Sequence, residues 1–295
     1  MKRETGENPV RTRHCDKGVA ANQSLIVIGK AAVYDDLSAR RPALNEAIAA
    51  TSTWSGKDNW ALLCLFLPPC LLGQGGFLIE RKITMDQIEF VLPEDIEKRS
   101  FEIISQELME QNIRLIPEQE SIIKRVIHTS ADFEYTNTLT FSEGAVEIAK
   151  ELIKNGADIV TDTNMGLAGI NKRILGKFGG EAHCFMADPD VVEEAKSRNV
   201  TRATVSMERA SRIKKPVIFA VGNAPTALIQ LHEMIQKNTF RPAFIIGVPV
   251  GFVNVVAAKE LIINSDIPYI VNKGRKGGSN VAAAICNALL YDLGR

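Results

Sequence analysis

Cysteine is scarce in this sequence, and its arrangement excludes several kinds of site. The chain has 295 residues but only five cysteines, with no CxxC pair and no spacing typical of a disulfide framework. No two histidine or cysteine residues show the i, i+4 spacing of helical metal ligands, so we expect no protein-bound metal. Scattered thiols of this kind are typical of a reduced compartment, and we therefore predict a cytoplasmic protein.

Motifs for the common cofactors and nucleophiles are also missing. The sequence has no GxGxxG after a predicted strand, no GxxxxGK[ST] loop and no GxSxG nucleophile motif. Neither charge is in excess, since Lys plus Arg and Asp plus Glu each number 35. A neutral balance gives no reason to expect nucleic acid or an anionic membrane as a partner.

Long hydrophobic runs are lacking as well. The only candidate for a membrane segment is residues 60–79, WALLCLFLPPCLLGQGGFLI, and two prolines and a GQGG sequence interrupt it. Its unbroken apolar stretches are well short of the ~20 residues that a membrane-spanning helix needs. It also lies too far from the first residue to be an ordinary signal peptide. We therefore expect no membrane span.

The chain divides into two parts of different character. Residues 1–84 show no sustained apolar period, whereas a clear alternation of patterns begins at Met85 and continues to the last residue. We expect residues 1–84 to be an extension with little fold of its own. We expect residues 85–295 to form the functional domain, with Met85 as the natural start.

From residue 85 onward, helical patterns alternate with short apolar runs. Helices are predicted at 93–111, 117–128, 142–155, 189–199, 224–236, 253–264 and 279–293. Strands are predicted at 159–161, 183–186, 217–221, 243–248 and 269–271. The later strands are continuously apolar, which is typical of parallel strands buried on both faces. We therefore predict an α/β fold: a three-layer α/β/α sandwich with a mainly parallel sheet of about five strands.

One histidine lies at the end of a predicted amphipathic helix that opens on Pro117. The apolar stripe of this helix consists of Ile122, Ile123, Val126 and Ile127. Lys124, Arg125 and His128 fall on the other side. An imidazole beside two fixed positive charges suits proton transfer to an anionic ligand. The alternative is a solvated basic face that ends in a histidine by chance.

Polar residues and glycine follow the predicted strands, where ligands bind in parallel sheets. Asp162 is either a ligand contact or an Asx-turn residue. The loop GRKGGSN, which contains Lys276, Gly277 and Ser279, either binds an anion or simply precedes a helix with Ser279 as its N-cap. Arg202 lies on a polar helix face that either meets an acidic ligand or is only exposed to solvent.

Five motifs, in order along the chain, resemble those of one known family. They are KRVIHTSADFEY, TDTNMGLAGINKR, VIFAVGNAPTALIQL, GVPVGFVNVVAAKE and GRKGGSNVAAAICNALLY. Together they resemble the precorrin-8X methylmutase family of cobalamin biosynthesis, and the likeness covers residues 86–295. TDTNM and GRKGGSN look closer to the cobalt-precorrin-8 branch of the anaerobic pathway than to the aerobic branch.

This resemblance implies an isomerase that moves a methyl group between adjacent carbons of ring C in a tetrapyrrole. It implies conversion of cobalt-precorrin-8 to cobyrinate without a redox cofactor or S-adenosylmethionine, by a homodimer with its site near the interface. His128 matches the family's catalytic histidine, which donates and accepts a proton. Ser100 and Arg125 match substrate-binding positions, and Arg202 is expected to add a contact. Further substrate contacts are expected from Asp162, Asn223, Lys276, Gly277 and Ser279.

Three other functions remain open at this point. A metal-free precorrin-8X methylmutase would give hydrogenobyrinate by the same methyl shift. A non-enzymatic tetrapyrrole carrier would keep the pocket and make no use of His128 as a proton donor. A nucleotide-dependent α/β enzyme would instead use the loop at Gly277 and Gly278.

Overall fold

The computed structural model describes residues 88–294, which form eleven helices and six strands. The helices are α1 (Ile96–Glu110), α2 (Pro117–Ser130), α3 (Tyr135–Thr138), α4 (Ala145–Lys154), α5 (Asn164–Gly169), α6 (Lys172–Lys177), α7 (Pro189–Ser197), α8 (Arg202–Ala210), α9 (Pro225–Gln236), α10 (Val255–Ile263) and α11 (Ser279–Gly294). The strands are β1 (Leu139–Phe141), β2 (Asp158–Thr161), β3 (Ala182–His183), β4 (Val217–Val221), β5 (Phe244–Gly247) and β6 (Tyr269–Asn272).

The six strands form one sheet in the order β1-β6-β5-β4-β2-β3. Strands β2 to β6 run parallel, and only the edge strand β1 is antiparallel to its neighbour β6. Strands β4 and β5 are buried at every position, which explains their continuous apolar sequences.

Helices cover both faces of the sheet, because successive strand side chains point to opposite sides. On one face, Ile218, Ala220 and Ile246 pack in a core that also contains residues of α2, α4 and α11. On the other face, Phe219 and Ile245 pack with residues of α8, α9 and α10. The predicted three-layer α/β/α sandwich is therefore confirmed.

The sequence missed several short elements. All five predicted strands occur, but β3 is only Ala182–His183 rather than 183–186, and the antiparallel β1 raises the number to six. Helices α3, α5 and α6 have only four to six residues, too few for an apolar period to repeat. The seven predicted helices all occur to within a few residues, but the nine-residue helix α8 was not among them.

The interpretations of residues 1–84, including the apolar stretch at 60–79, lie outside the described residues. Within residues 88–294, no helix is both long enough and apolar enough to cross a membrane.

Candidate functional site

Helix α2 ends at the edge of the sheet formed by the carboxyl ends of the parallel strands. The antiparallel strand β1 shows this, because Leu139 at its start pairs with Asn272 at the end of β6. Only a short loop and the four-residue helix α3 separate Leu139 from the end of α2. His128, in the last turn of α2, therefore lies near the loops that follow the strands.

The His128 imidazole is exposed and is held by a single aromatic contact. Its ring stacks on Phe101 of α1, with ring centroids 5.3 Å apart and an angle of 11° between the ring planes. Among residues 88–294, no side chain or backbone group forms a hydrogen bond with this imidazole. Both ring nitrogens are therefore available to exchange a proton with a ligand.

Arg125 is paired with a carboxylate of its own chain. Its Nη1 donates to Glu97 Oε1 at 2.5 Å. The guanidinium carbon lies 4.7 Å from the ring centroid of Phe101 and 5.0 Å from that of Tyr291. Only 15% of the side chain is exposed. A substrate carboxylate must therefore share this guanidinium with Glu97 or replace Glu97.

Ser100, the other predicted contact near His128, lies one residue before Phe101. Its hydroxyl donates to the carbonyl of Ile96 at 2.9 Å, so it remains able to accept a hydrogen bond but has no further proton to donate. An open cavity of about 380 Å³ adjoins Arg125, but His128 is not among the residues that line it. The exposed His128 imidazole therefore lies outside this cavity.

Arg202 lies further along the same edge, at the first position of α8. Its Nη1 is 3.5 Å from the carbonyl oxygen of Met186, and the side chain is otherwise exposed. The preceding residue, Thr201, donates its hydroxyl to that of Thr226 at 3.1 Å. Because Thr226 is in the first turn of α9, Arg202 lies near the loop that follows β4.

The chain reverses its direction of winding between β2 and β4. The connection from β2 runs to β3 on one side, and the connection from β4 runs to β5 on the other. Ligands of open α/β sheets bind in the crevice at such a point. The buried carboxylate of Asp162, directly after β2, lies in this crevice. That carboxylate accepts backbone N–H groups from Gly222, Asn223 and Ala224 at 2.9, 2.8 and 2.5 Å.

The contacts of the Asp162 carboxylate differ from those of an Asx turn, in which the N–H donor lies two residues further along the chain. The residue is only 1% exposed, and three of the N–H groups that its carboxylate accepts belong to the loop after β4. Burial raises the pKa of the Asp162 carboxyl, and the three N–H donors oppose that rise. Asp162 therefore holds the loop that presents the exposed side chain of Asn223. Its contact with the substrate stays a prediction.

The loops after the other strands pack backbone against backbone. A Cβ atom on Gly277 would lie 2.1 Å from the carbonyl oxygen of Val248, and one on Gly222 would lie 2.6 Å from the Cα atom of Ser279. The hydroxyl groups of Ser279 and Thr163 are 2.7 Å apart. The structure therefore brings Asn223, Gly277 and Ser279 together at one edge, as the sequence predicts.

Lys276 joins this group of loops to the end of α2. Its Nζ donates to Asp132 Oδ2 at 2.6 Å and to Glu134 Oε2 at 2.5 Å. The hydrogen bond from Lys276 lowers the pKa of the Asp132 carboxyl. Both carboxylates lie in the loop that follows His128. The sequence predicts Lys276 as a substrate contact, but its ammonium group is already engaged by two acidic side chains.

The family model described as precorrin-8X methylmutase matches residues 95–292. That span contains His128, the loop residues and both arginines discussed above. The chain belongs to the precorrin-8X methylmutase family.

Individual relatives agree with the family match. The cobalt-precorrin-8 methylmutase of Salmonella typhimurium is 45% identical over 205 residues, which cover 68% of this chain and 96% of that protein. The cobalt-precorrin-8 methylmutase of Priestia megaterium is 43% identical over 199 residues, covering 68% and 88%. The solved precorrin-8X methylmutase of Thermus thermophilus superposes with a TM-score of 0.62 at 40% identity, covering 67% of this chain and 95% of that chain.

A methylmutase moves a methyl group within one molecule, so this protein is an isomerase. The predicted family, fold class and enzyme class are confirmed. Among residues 88–294, no three His, Cys, Asp or Glu side chains come together as metal ligands would.

A buried lysine that the sequence did not point to lies beneath these loops. Lys259 of α10 is only 1% exposed, and its Nζ donates to the carbonyls of Gly274 and Lys276 at 2.8 and 2.7 Å. Burial lowers the pKa of this ammonium group to about 8. The available signal was a lysine inside the largely apolar helix VVAAKELII. Lys259 supports the loop that carries Lys276 and Gly277.

Replacing Lys259 by methionine is expected to change how stability depends on pH. The pKa of Lys259 is about 8 in the folded methylmutase, against 10.5 for an unperturbed lysine. Between these values the unfolded chain binds more protons, so the free energy of unfolding rises with pH in the wild type. The wild-type value minus that of Lys259→Met should increase by about 2 kcal/mol between roughly pH 7.5 and 9.5. Guanidinium unfolding at both pH values measures this, and a difference that stays constant or falls would contradict the assignment.

Proposed function

We propose that this methylmutase converts cobalt-precorrin-8 to cobyrinate by a methyl shift on ring C, with His128 as proton donor and acceptor. The observation that carries the proposal is the exposed His128 imidazole, without a hydrogen-bond partner among residues 88–294, at the edge where the strand loops meet. Two relatives at 43% and 45% identity are named for cobalt-precorrin-8, which supports the cobalt-containing substrate.

The charges around the site suit a substrate with many acetate and propionate carboxylates. Arg202 and Arg125 lie at the same edge as His128, and Arg125 can exchange its internal carboxylate for one of the substrate. In this proposal, Ser100, Asn223, Gly277 and Ser279 add neutral hydrogen bonds to the macrocycle and its side chains. A chain with no net charge can therefore still bind a polyanion locally.

In the proposed reaction, the His128 imidazolium protonates ring C of the bound tetrapyrrole. Protonation withdraws electron density from the conjugated system, so the methyl group migrates to the neighbouring carbon: one C–C bond breaks and one forms. The neutral imidazole then takes the proton back, and no atoms or electrons are gained or lost. Proton transfer of this kind contributes about 100- to 10,000-fold to the rate. Fixing the macrocycle so that only one shift is possible contributes the rest.

The test is an absorbance assay of the purified protein with cobalt-precorrin-8 and, separately, with metal-free precorrin-8X. We expect spectral conversion of cobalt-precorrin-8 at the higher kcat/KM. Faster conversion of precorrin-8X to hydrogenobyrinate would assign the chain to the metal-free reaction instead. Binding of either compound without conversion would make the protein a tetrapyrrole carrier and would overturn the proposal.

We also propose that the chain works as a homodimer. Three apolar side chains directly after β5 are exposed at the edge that carries the site: Phe252 by 82%, Val253 by 77% and Val250 by 46%. Arg275 lies over the Phe252 ring at 5.4 Å. Exposed apolar groups this close together are typical of protein interfaces. A second copy of the chain that covers them would also help to enclose the open edge around His128.

Replacing Phe252 by serine is expected to dissociate this dimer. Loss of a central aromatic side chain costs an interface about 2 kcal/mol or more, which weakens the dimer about 30-fold. Analytical ultracentrifugation across a dilution series measures the shift. Met109→Ser at the end of α1 is the matched control, because Met109 is 70% exposed and lies on another part of the surface. An unchanged dissociation constant for Phe252→Ser would contradict the proposed interface.

Two broader proposals concern the whole chain. We propose that residues 85–295 carry the methylmutase activity, because the matching residues of this chain cover 96% of the Salmonella relative. Mass spectrometry of the protein from its native cell tests Met85 as the natural start, since peptides from before Met85 would contradict it.

We propose a cytoplasmic location because Cys184 and Cys286, the two cysteines among residues 88–294, are both unpaired.

A further inference from the structure

We propose that Lys276 is a positioning residue for His128. Its ammonium group fixes the loop that follows α2, the helix that carries His128, and it does not bind substrate. The inference rests on the proposed function, in which His128 transfers the proton. It assigns a role to Asp132 and Glu134 as well, because these carboxylates are the partners of Lys276.

The loop after His128 is a tight turn whose shape depends on Asp132. Ala131 ends α2 in the left-handed region at φ 52°, a conformation that is unfavourable for a residue other than glycine. Asp132 Oδ1 accepts the N–H of Glu134 at 3.0 Å, and its Oδ2 accepts Nζ of Lys276 at 2.6 Å. One carboxylate therefore closes the turn and ties it to the loop after β6.

Several contacts hold the backbone of the loop that carries Lys276 in place. The carbonyl of Lys276 itself accepts hydrogen bonds from the Lys259 Nζ at 2.7 Å and from the Asn272 side-chain amide at 2.9 Å. Its neighbour Gly277 packs directly on the carbonyl of Val248. Because the backbone of Lys276 is held in place, the hydrogen bonds of its ammonium group restrict the movement of the loop after α2.

The local charge argues against a direct contact between Lys276 and the substrate. One ammonium group and two carboxylates, those of Asp132 and Glu134, leave a local charge of about −1 in the ionised states that prevail near neutral pH. Such a group does not attract a polycarboxylate. Exposed ion pairs also add little to stability. The contribution we assign to Lys276 is therefore to the geometry of His128 rather than to folding.

The first test separates kcat from KM. Lys276→Met is expected to lower kcat about 10- to 100-fold, because small displacements of a catalytic group have effects of this size. KM for cobalt-precorrin-8 should stay within about twofold. Lys276→Arg, which can still bridge two carboxylates, should recover most of kcat. Lys273→Met is the matched control, because Lys273 is exposed in the same loop and its side chain has no partner among residues 88–294.

The second test is a double-mutant cycle. Asp132→Asn combined with Glu134→Gln should lower kcat to about the level of Lys276→Met, and all three changes together should lower it little further. A direct contact between Lys276 and the substrate predicts a different result. Lys276→Met would then raise KM and leave kcat unchanged, and its effect on KM would multiply with the effect of the carboxylate changes. That result would overturn the inference.

Amide hydrogen exchange tests the role of Lys276 even if the protein converts no substrate. Amides of residues 131–136 should exchange faster in Lys276→Met than in wild type, and Lys273→Met should leave them unchanged. If the wild type converts no substrate, the proposed function fails, and these amides still report whether Lys276 holds the loop. Unchanged exchange in Lys276→Met would overturn the inference whatever the activity.

Discussion

Replacing His128 by asparagine is expected to lower the rate of conversion by about 100- to 10,000-fold, the range that a positioned acid–base group contributes. Asparagine is planar and polar and can still lie against Phe101, but it cannot donate and regain a proton near neutral pH. The substrate dissociation constant should change little, because the exposed imidazole is one small part of a large binding surface. Single-turnover absorbance kinetics and a binding titration on the same variant measure both quantities.

His183→Asn is the matched control for this experiment. His183 ends β3, and its Nε2 lies 3.4 Å from Asp158 Oδ2, so its ring faces a buried carboxylate rather than the strand loops. It should convert substrate at close to the wild-type rate. If His128→Asn kept more than about a tenth of the wild-type rate, His128 would not be the proton donor.

Replacing Asp162 by asparagine is expected to destabilise the fold by about 2–5 kcal/mol. Three backbone N–H groups point at the Asp162 carboxylate, one at Oδ1 and two at Oδ2. An asparagine in either orientation places an NH₂ group against at least one of these donors. A buried N–H left without an acceptor costs about 1–3 kcal/mol. Guanidinium unfolding near neutral pH measures the loss.

The same substitution should reduce catalysis, because Asp162 holds the loop that presents Asn223. We expect kcat/KM to fall even at temperatures where the variant is fully folded. Asp190→Asn is the matched control: its carboxylate is 70% exposed and pairs with Arg209, an arrangement worth about 0–1 kcal/mol. An Asp162→Asn protein as stable as the Asp190→Asn protein would show that the three hydrogen bonds do not hold the loop.

Element positions followed closely from sequence periodicity. Helix α2 was predicted at 117–128 and ends at Ser130, because its apolar stripe repeats and Pro117 marks its start. Strands β4 and β5 were predictable because each is a continuous apolar run with polar residues after it. Strand β1, LTF, escaped prediction because three residues carry no period and its pairing with β6 bridges more than a hundred residues of chain.

The location of the site was predictable for a related reason. Parallel strands end at the same edge of a sheet, so polar residues after β2, β4 and β6 had to lie near one another. The sequence could not show which of them pair. Asp162 lies 60 residues from Gly222, and Lys276 lies 144 residues from Asp132. Lys259 was missed for the same reason, since its carbonyl partners are brought to it only by the folded loop.

The sequence by itself determined the α/β class, the main helices and strands, the family and the edge of the sheet at which the polar loops after the strands meet. These follow from apolar periods and from motifs, which are local properties of the chain. The tertiary structure alone decided that Asp162 and Lys276 face protein groups. A carboxylate binds the cation or N–H donor that the fold brings within about 3 Å, and an ammonium group binds the carboxylate or carbonyl brought equally close. Packing between distant segments decides which partner that is.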